Sequence, residues 1–253
     1  MWPTIGAVRV WRRNLESWKR YALSFFVAAL GEPIFYLLGI GYGLGRFVVD
    51  IEGVPYAAFL APGIIAFAAM NTATFETTIG SYTRMAEQNT YTAILATPCS
   101  VADIVAGDVL WGATKSVIAV FFVLLVTALL GLLHGPLALL LLPAAFAIGL
   151  LFGCLGMVVT SCAPSYDFFN YYFTLVFSVM FLFSGVFFPL EGLPTWARAV
   201  AWTLPLTHAV GVTRALAEGA AGAGLAADLA WIAVVTGAAF VLAERLLRRR
   251  LLV

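Results

Sequence analysis

Charge is scarce in this chain. Asp, Glu, Lys and Arg together make up 11% of it, against about a quarter in a soluble domain, so a solvated surface on all sides is excluded. Cysteine is scarcer still. Cys99, Cys154 and Cys162 form no CxxC pair and no cluster with histidine, which argues against a disulfide framework or a zinc site. The histidines, His134 and His208, stand alone and far apart. There is no GxxxxGK[ST] phosphate loop, no HExxH and no Asp-rich diphosphate motif, so the chain carries no ATP-hydrolysing site of its own. The first apolar run is long enough to span and no small-residue cleavage site stands out after it, so no cleavable signal is expected. The net charge of +1 says little, because the charges are not spread evenly, and no nucleic-acid partner is expected.

What is abundant is apolar: 62% of the 253 residues are hydrophobic. A helix needs about 20 largely apolar residues to cross the hydrocarbon of a bilayer. Runs of that kind occur near 22–45, 57–80, 104–133, 137–162, 168–188 and 226–246. They define an all-α, polytopic membrane protein with six transmembrane helices in a single domain, 1–253. Glycines four apart, Gly41/Gly45 and Gly149/Gly153, allow close approach of helix backbones.

Residues 1–20 are too polar to span. Ile5, Val8, Trp11, Leu15 and Trp18 fall on one helical face, and Arg9, Arg12, Arg13, Lys19 and Arg20 fill much of the rest. This is the pattern of an amphipathic helix lying in the membrane interface. The basic residues also set orientation. They cluster in this arm, at Arg84, and in the tail at Arg245, Arg248, Arg249 and Arg250, whereas the other side holds only Arg46, Arg198 and Arg214. Both termini are therefore expected in the cytoplasm. The external segment carries Pro189, Pro194 and Pro205 around the short amphipathic "WARAVAW". Irregular backbone at membrane depth survives only when covered by protein or lining a cavity, so 189–207 is expected to fold as a re-entrant helical hairpin, an exit lid. Its named residues are Phe188, Pro189, Glu191, Pro194, Trp196, Pro205 and His208.

Within the spans, polar residues mark candidate path or gate positions. Glu32 lies inside the first span, where a charged side chain costs about 2.5–3.5 kcal/mol on insertion scales. It either fixes the bend at Pro33 or gates a path. Asn71, Thr72 and Glu76 give the second span a polar face, and Asp103, Asp108 and Lys115 do the same at the start of the third, unless Lys115 only snorkels. Tyr172 and Phe173 belong to the aromatic run at 166–183, which reads either as packing and interface belt or as a stacking surface for sugars and acyl chains. A Ser184–His208 pair of the intramembrane-protease kind is also conceivable, but position 182 is Leu and the histidine lies in a proline-rich external segment. Nothing in the sequence brings the two within hydrogen-bond reach.

Between the second and third spans stands "RMAEQNTYTAILATPCSVADIVAGD". Glu87, Leu95, Thr97, Pro98 and Asp103 match the corresponding cytoplasmic segment of type-2 ABC exporter permeases, which this stretch resembles. The external "FSGVFFPLEGLPTWARAVAWTLPLTHAVGVTRAL" is similar to that family's signature there. "EPIFYLLGIGYGLG", "NTATFETTIGSYTRM" and "LGMVVTSCAPSYDFF" resemble more specifically the Nod-factor (lipo-chitooligosaccharide) export permeases, the NodJ-like branch. The resemblance covers nearly the whole chain. It implies a homodimeric permease in a bacterial cytoplasmic (inner) membrane, engaged by two copies of a separately encoded ABC ATPase. ATP and Mg would bind on that partner, and this chain would bind no cofactor. The cargo it implies is an amphiphile: a lipo-oligosaccharide, a glycolipid or a hydrophobic drug. Residues 84–98 then become the ATPase-coupling helix, with Arg84, Met85, Glu87, Gln88, Tyr91, Leu95 and Pro98 as its contact residues and a groove on the ATPase as its seat. Two readings compete with a lipo-oligosaccharide exporter: a drug-efflux permease of the same superfamily, and a self-sufficient transporter or channel gated by Glu32 and Glu76.

Overall fold

A computed structural model describes residues 3–20, 22–23, 31, 33–48, 50–51, 53–132, 136–220 and 222–252. Helix α1 (Ile5–Trp18) opens on Thr4, whose hydroxyl accepts from the Gly6 amide at 3.1 Å. The expected first span lies partly outside the described residues, and Glu32 with it. Its described end is helical, with a wide π turn at Tyr36–Tyr42. A two-residue β ladder follows, β1 (Asp50–Ile51) against β2 (Val54–Pro55), turning on Gly53 at φ +82°.

Helix α2 runs from Tyr56 to Glu87, seven residues beyond the expected end of the second span. Its lower part is irregular, with π turns at Glu76–Gly80 and Thr83–Glu87. Left-handed Asn89, at φ +51°, breaks the chain before the one-turn α3 (Thr90–Leu95). Thus 84–98 is not one helix: its first residues end α2. Helix α4 (Val101–Leu129) starts from a capping box in which Ser100 and Asp103 each bond the other's backbone N–H. Then come α5 (Leu141–Cys162), α6 (Asp167–Phe183), α7 (Thr195–Ala201), α8 (Pro205–Glu218) and α9 (Ala223–Leu251).

Among the described residues, four helices are long and apolar enough to cross a membrane: Tyr56–Glu87, Val101–Leu129, Leu137–Cys162 and Ala223–Leu251. The segment expected as the fifth span forms α6, an apolar helix short of that length. The chain is therefore a multi-pass membrane protein. Helix α2 is its axis: 78% of its most apolar window is buried, against 11% for α9, which turns most of its surface outward. Close approach of α4 and α5 depends on Gly149, where a Cβ would lie 2.7 Å from the Ala113 Cα. The glycine spacing in the sequence anticipated this contact.

Helix α1 differs from its expected pose. Ile5 and Val8 are exposed, but Trp18 is buried edge-on against Trp111, and the Trp11 indole donates to Thr114 Oγ1 at 3.0 Å. The buried face is Ala7, Val10, Asn14 and Trp18, seated on α4. Gly107 permits this, since a Cβ there would stand 2.5 Å from the Val10 Cβ. The Thr4 amide and hydroxyl both donate to Asp103 Oδ1, at 2.5 and 2.9 Å.

Candidate functional site

Below the apolar core, where α1, α2, α3 and α4 meet, two carboxylates and two cations are buried together. Glu76 accepts from Arg84 Nη1 and from Lys115 Nζ, each at 2.7 Å, on separate oxygens. Asp108, fully buried, accepts on Oδ2 from Arg84 Nε and Nη2 at 3.3 and 3.2 Å, from the Tyr91 hydroxyl at 2.5 Å and from Ser81 at 2.8 Å. Its Oδ1 accepts from Asn14 Nδ2 at 2.6 Å. The charges sum to zero, the condition under which a buried ionic group is tolerable. Burial and the Asp108 carboxylate hold the Tyr91 phenol well above its ordinary pKa, so it stays a donor. Beside the cluster a polar cavity of about 320 Å³ is lined by Arg13, Asn14, Glu76, Gly80, Arg84 and Gln88.

This geometry revises several expectations. Lys115 does not snorkel but turns inward to Glu76. Glu76 is held between two cations rather than standing as a free gate. Tyr91 and Met85, expected to anchor a partner, are buried, and Arg84 is enclosed in the cluster. The reason is Asp108, which draws the tyrosine inward, and an apolar cluster in which Met85, Tyr82 and Tyr91 pack with Val101 and Val105. Exposed instead are Glu87, Gln88, Thr92, Ala93, Thr97 and Pro98, while Leu95 is half-buried. Asn14, Ser81 and Asp108 were not singled out as members of one site. The available signal was the presence of Glu76 and Arg84 on α2 and of Asp108 and Lys115 on α4, two acidic and two basic residues in largely apolar helices.

The remaining path candidates lie higher on α2 and on α6. Asn71 and Thr72 are half-buried, Tyr172 is half-buried, and Phe173 stacks on Phe75 at 4.4 Å between centroids. In the expected lid, α7 is the amphipathic piece foreseen between the prolines, with Glu191, Pro194 and Trp196 exposed and Phe188, Pro189 and Pro205 half-buried. Pro205, expected near the end of that segment, is the first residue of α8, which runs to Glu218 and is largely buried. His208 lies on α8 and is satisfied there. Its Nδ1 lies 2.8 Å from Asp228 Oδ1, its Nε2 3.0 Å from the Trp202 carbonyl, and its ring stacks on Trp231 at 4.0 Å. Both nitrogens are thus taken, and Ser184, buried without a side-chain partner, is not joined to it. The nucleophile–base pair is absent among the described residues. Arg214, over the Phe59 ring at 4.2 Å, donates to the Gly185 carbonyl at 3.0 Å and ties α8 to the turn after α6.

The sequence profile described as "ABC-2 type transporter" matches residues 7–217, from α1 through α8. Close full-length relatives exist among characterised proteins. The chain is 42% identical to Nodulation protein J of Rhizobium leguminosarum bv. viciae over 96% of this chain and 94% of that protein. It is 41% identical to Nodulation protein J of Rhizobium leguminosarum bv. trifolii, over 98% and 95% of the two chains. With Nodulation protein J of Rhizobium meliloti strain 1021 it shares 39%, over 97% and 94%.

Proposed function

From the premise that this chain belongs to the ABC-2 type transporter family, we propose that it is the permease of an ATP-driven exporter whose ATPase is a separate chain. Two copies of the permease enclose the path, and two copies of the ATPase drive it between inward-open and outward-open states. The cargo is an amphiphile, a lipo-oligosaccharide, glycolipid or hydrophobic drug, moved outward across a bacterial cytoplasmic membrane. The observation that carries the reading is α3. It is a short helix outside the membrane helices, with one face locked to Asp108 and the other, Thr92, Ala93 and Thr97 with Glu87, Gln88 and Pro98 beside it, open to a partner. A subunit without a phosphate loop needs such a contact to receive work done elsewhere.

Glu87, Gln88 and the exposed face of α3 meet the ATPase, while Met85, Tyr91 and Leu95 brace that face from behind. Segment 189–207, with the longer arm α8, forms the external lid. The path lies along Asn71, Thr72, Tyr172 and Phe173. Both termini are cytoplasmic, a reading supported by the basic residues of α1 and by Arg248, Arg249 and Arg250 in the last turn of α9.

The test is reconstitution of permease and co-expressed ATPase in vesicles, with export of candidate lipids and drugs followed beside ATP hydrolysis. ATP-dependent export of an amphiphile supports the reading. Export without any ATPase would replace it with the self-sufficient transporter. A cysteine at 50 should react with an impermeant reagent from outside, and one at 88 only from the cytoplasm. The reverse pattern removes the coupling role.

A further inference from the structure

The buried cluster is unevenly shared. Glu76 has two cations at 2.7 Å, whereas Asp108 has only the longer side of Arg84, at 3.2–3.3 Å, and is otherwise held by neutral donors. Arg84 therefore stands between two carboxylates and leans toward Glu76. Of the donors to Asp108, Tyr91 is the one that comes from α3, and at 2.5 Å it makes the shortest bond. Ser81 and Arg84 belong to α2 and Asn14 to α1. Withdrawing the tyrosine leaves a fully buried carboxylate short of a donor, which costs the desolvation of that group. The group that can compensate is Arg84, which already reaches Asp108 at 3.2–3.3 Å and can close on it further at the expense of its bond to Glu76. Glu76 is the first residue of a π turn and Arg84 lies inside the next one. Such turns interrupt the regular ladder of a helix and recur at functional sites.

We infer that Arg84 is a two-position switch set by Tyr91. With α3 seated, Arg84 bridges both carboxylates, with its shorter bond on Glu76. With α3 displaced, Arg84 moves fully onto Asp108, and Glu76, Lys115 and the π turn are released together. Asp108 and Arg84 are positioning residues: they touch no cargo but turn a shift of the outer helix into a change of partner inside the bundle. A relay of this kind requires a discrete element with two arrangements that both ends bias. The inference rests on the reading of α3 as the ATPase contact and adds the device behind it.

The experiment uses the full permease–ATPase complex in lipid nanodiscs. Cys99, Cys154 and Cys162 are replaced by Ser, and exposed Trp196 on α7 by Cys. The alkylation rate at 196 is read without nucleotide and with ATP plus vanadate. In the parent, nucleotide should change the rate several-fold. Tyr91→Phe, which removes only the hydroxyl, should abolish the change while the ATPase remains bound and hydrolyses ATP. Tyr82→Phe is the control, because it removes an equivalent hydroxyl bond, to the Pro164 carbonyl at 3.0 Å, outside the cluster. It should respond like the parent. A full response in Tyr91→Phe overturns the inference, as does an equal loss in Tyr82→Phe, which would make the effect one of general packing. If Tyr91→Phe does not reach the membrane, Arg84→Lys, unable to bridge both carboxylates, takes its place with the same expected loss, and a retained response there is equally fatal. A parent that binds the ATPase but shows no response at 196 also overturns the switch. Failure of the parent to bind any ATPase would instead remove the functional reading beneath it.

Discussion

The two ends of α2 bury charge in opposite ways. Near its start, Thr213 of α8 donates to the Pro62 carbonyl at 2.9 Å, and the neighbouring His208–Asp228 contact joins two helices through one bond and a stacked indole. About 21 Å away along the axis, at 1.5 Å per residue, Glu76, Arg84, Asp108 and Lys115 draw α1, α2, α3 and α4 onto one neutral knot. The first end joins α8 to α2 and to the start of α9 by separate local clasps. The second ties four helices, long and short, into one shared network. A clasp can open by itself, whereas a network moves as a unit or not at all. That division suits an external lid at one end and a coupling station at the other.

The largest effect is expected from unbalancing the network. Glu76→Gln leaves two cations facing one carboxylate, and losing one partner of a buried ionic group typically costs about 3–5 kcal/mol. Thermal unfolding of the purified permease reads this, and a second change, Lys115→Met, should return much of the loss. No recovery would mean that the cluster is not one electrically balanced unit. The middle of the bundle comes next. Gly149→Ala forces a Cβ to within 2.7 Å of the Ala113 Cα, an overpacking worth about 1–3 kcal/mol. It should loosen both ends alike in hydrogen exchange. At the lid end, His208→Ala removes the ring that meets both Asp228 and the Trp202 carbonyl, at about 1–2 kcal/mol. Faster exchange should be confined to α7, α8 and the start of α9. Spread of that loosening to 76–91 would erase the contrast between clasp and network. The smallest effect belongs to exposed Glu87: its reversal to Lys should weaken ATPase binding by under about 1 kcal/mol, measured by titrating the ATPase onto nanodisc-held permease.

Much of the fold was legible because it rests on local signals. The apolar run at 137–162 became Leu137–Cys162. The glycines of α5 marked a true close contact. What could not be read depends on partners far away in sequence. Tyr91 looks like a surface anchor until Asp108, seventeen residues later, turns it inward. The apolar side chains of α1 form one stripe on paper, but α4 accepts a neighbouring stripe centred on Ala7, Val10 and Asn14, because Gly107 is where the backbones can meet. Lys115 could equally have reached outward. Only the position of Glu76, thirty-nine residues earlier, decides its direction.

The seat of α1 has a consequence for how the chain is made. Thr4 completes its bonds only with Asp103, which lies 99 residues further along. At about 5–20 residues per second of synthesis, α1 waits roughly 5–20 seconds before its receptor leaves the ribosome. During that interval its inner face, Ala7, Val10 and Trp18, has no protein to cover it, while Ile5 and Val8 remain exposed even in the finished fold. A helix with apolar residues on both of those sides and arginines between them is suited to resting on the bilayer surface in the meantime. The exposed pair keeps one side of the helix free for such a berth in the finished fold.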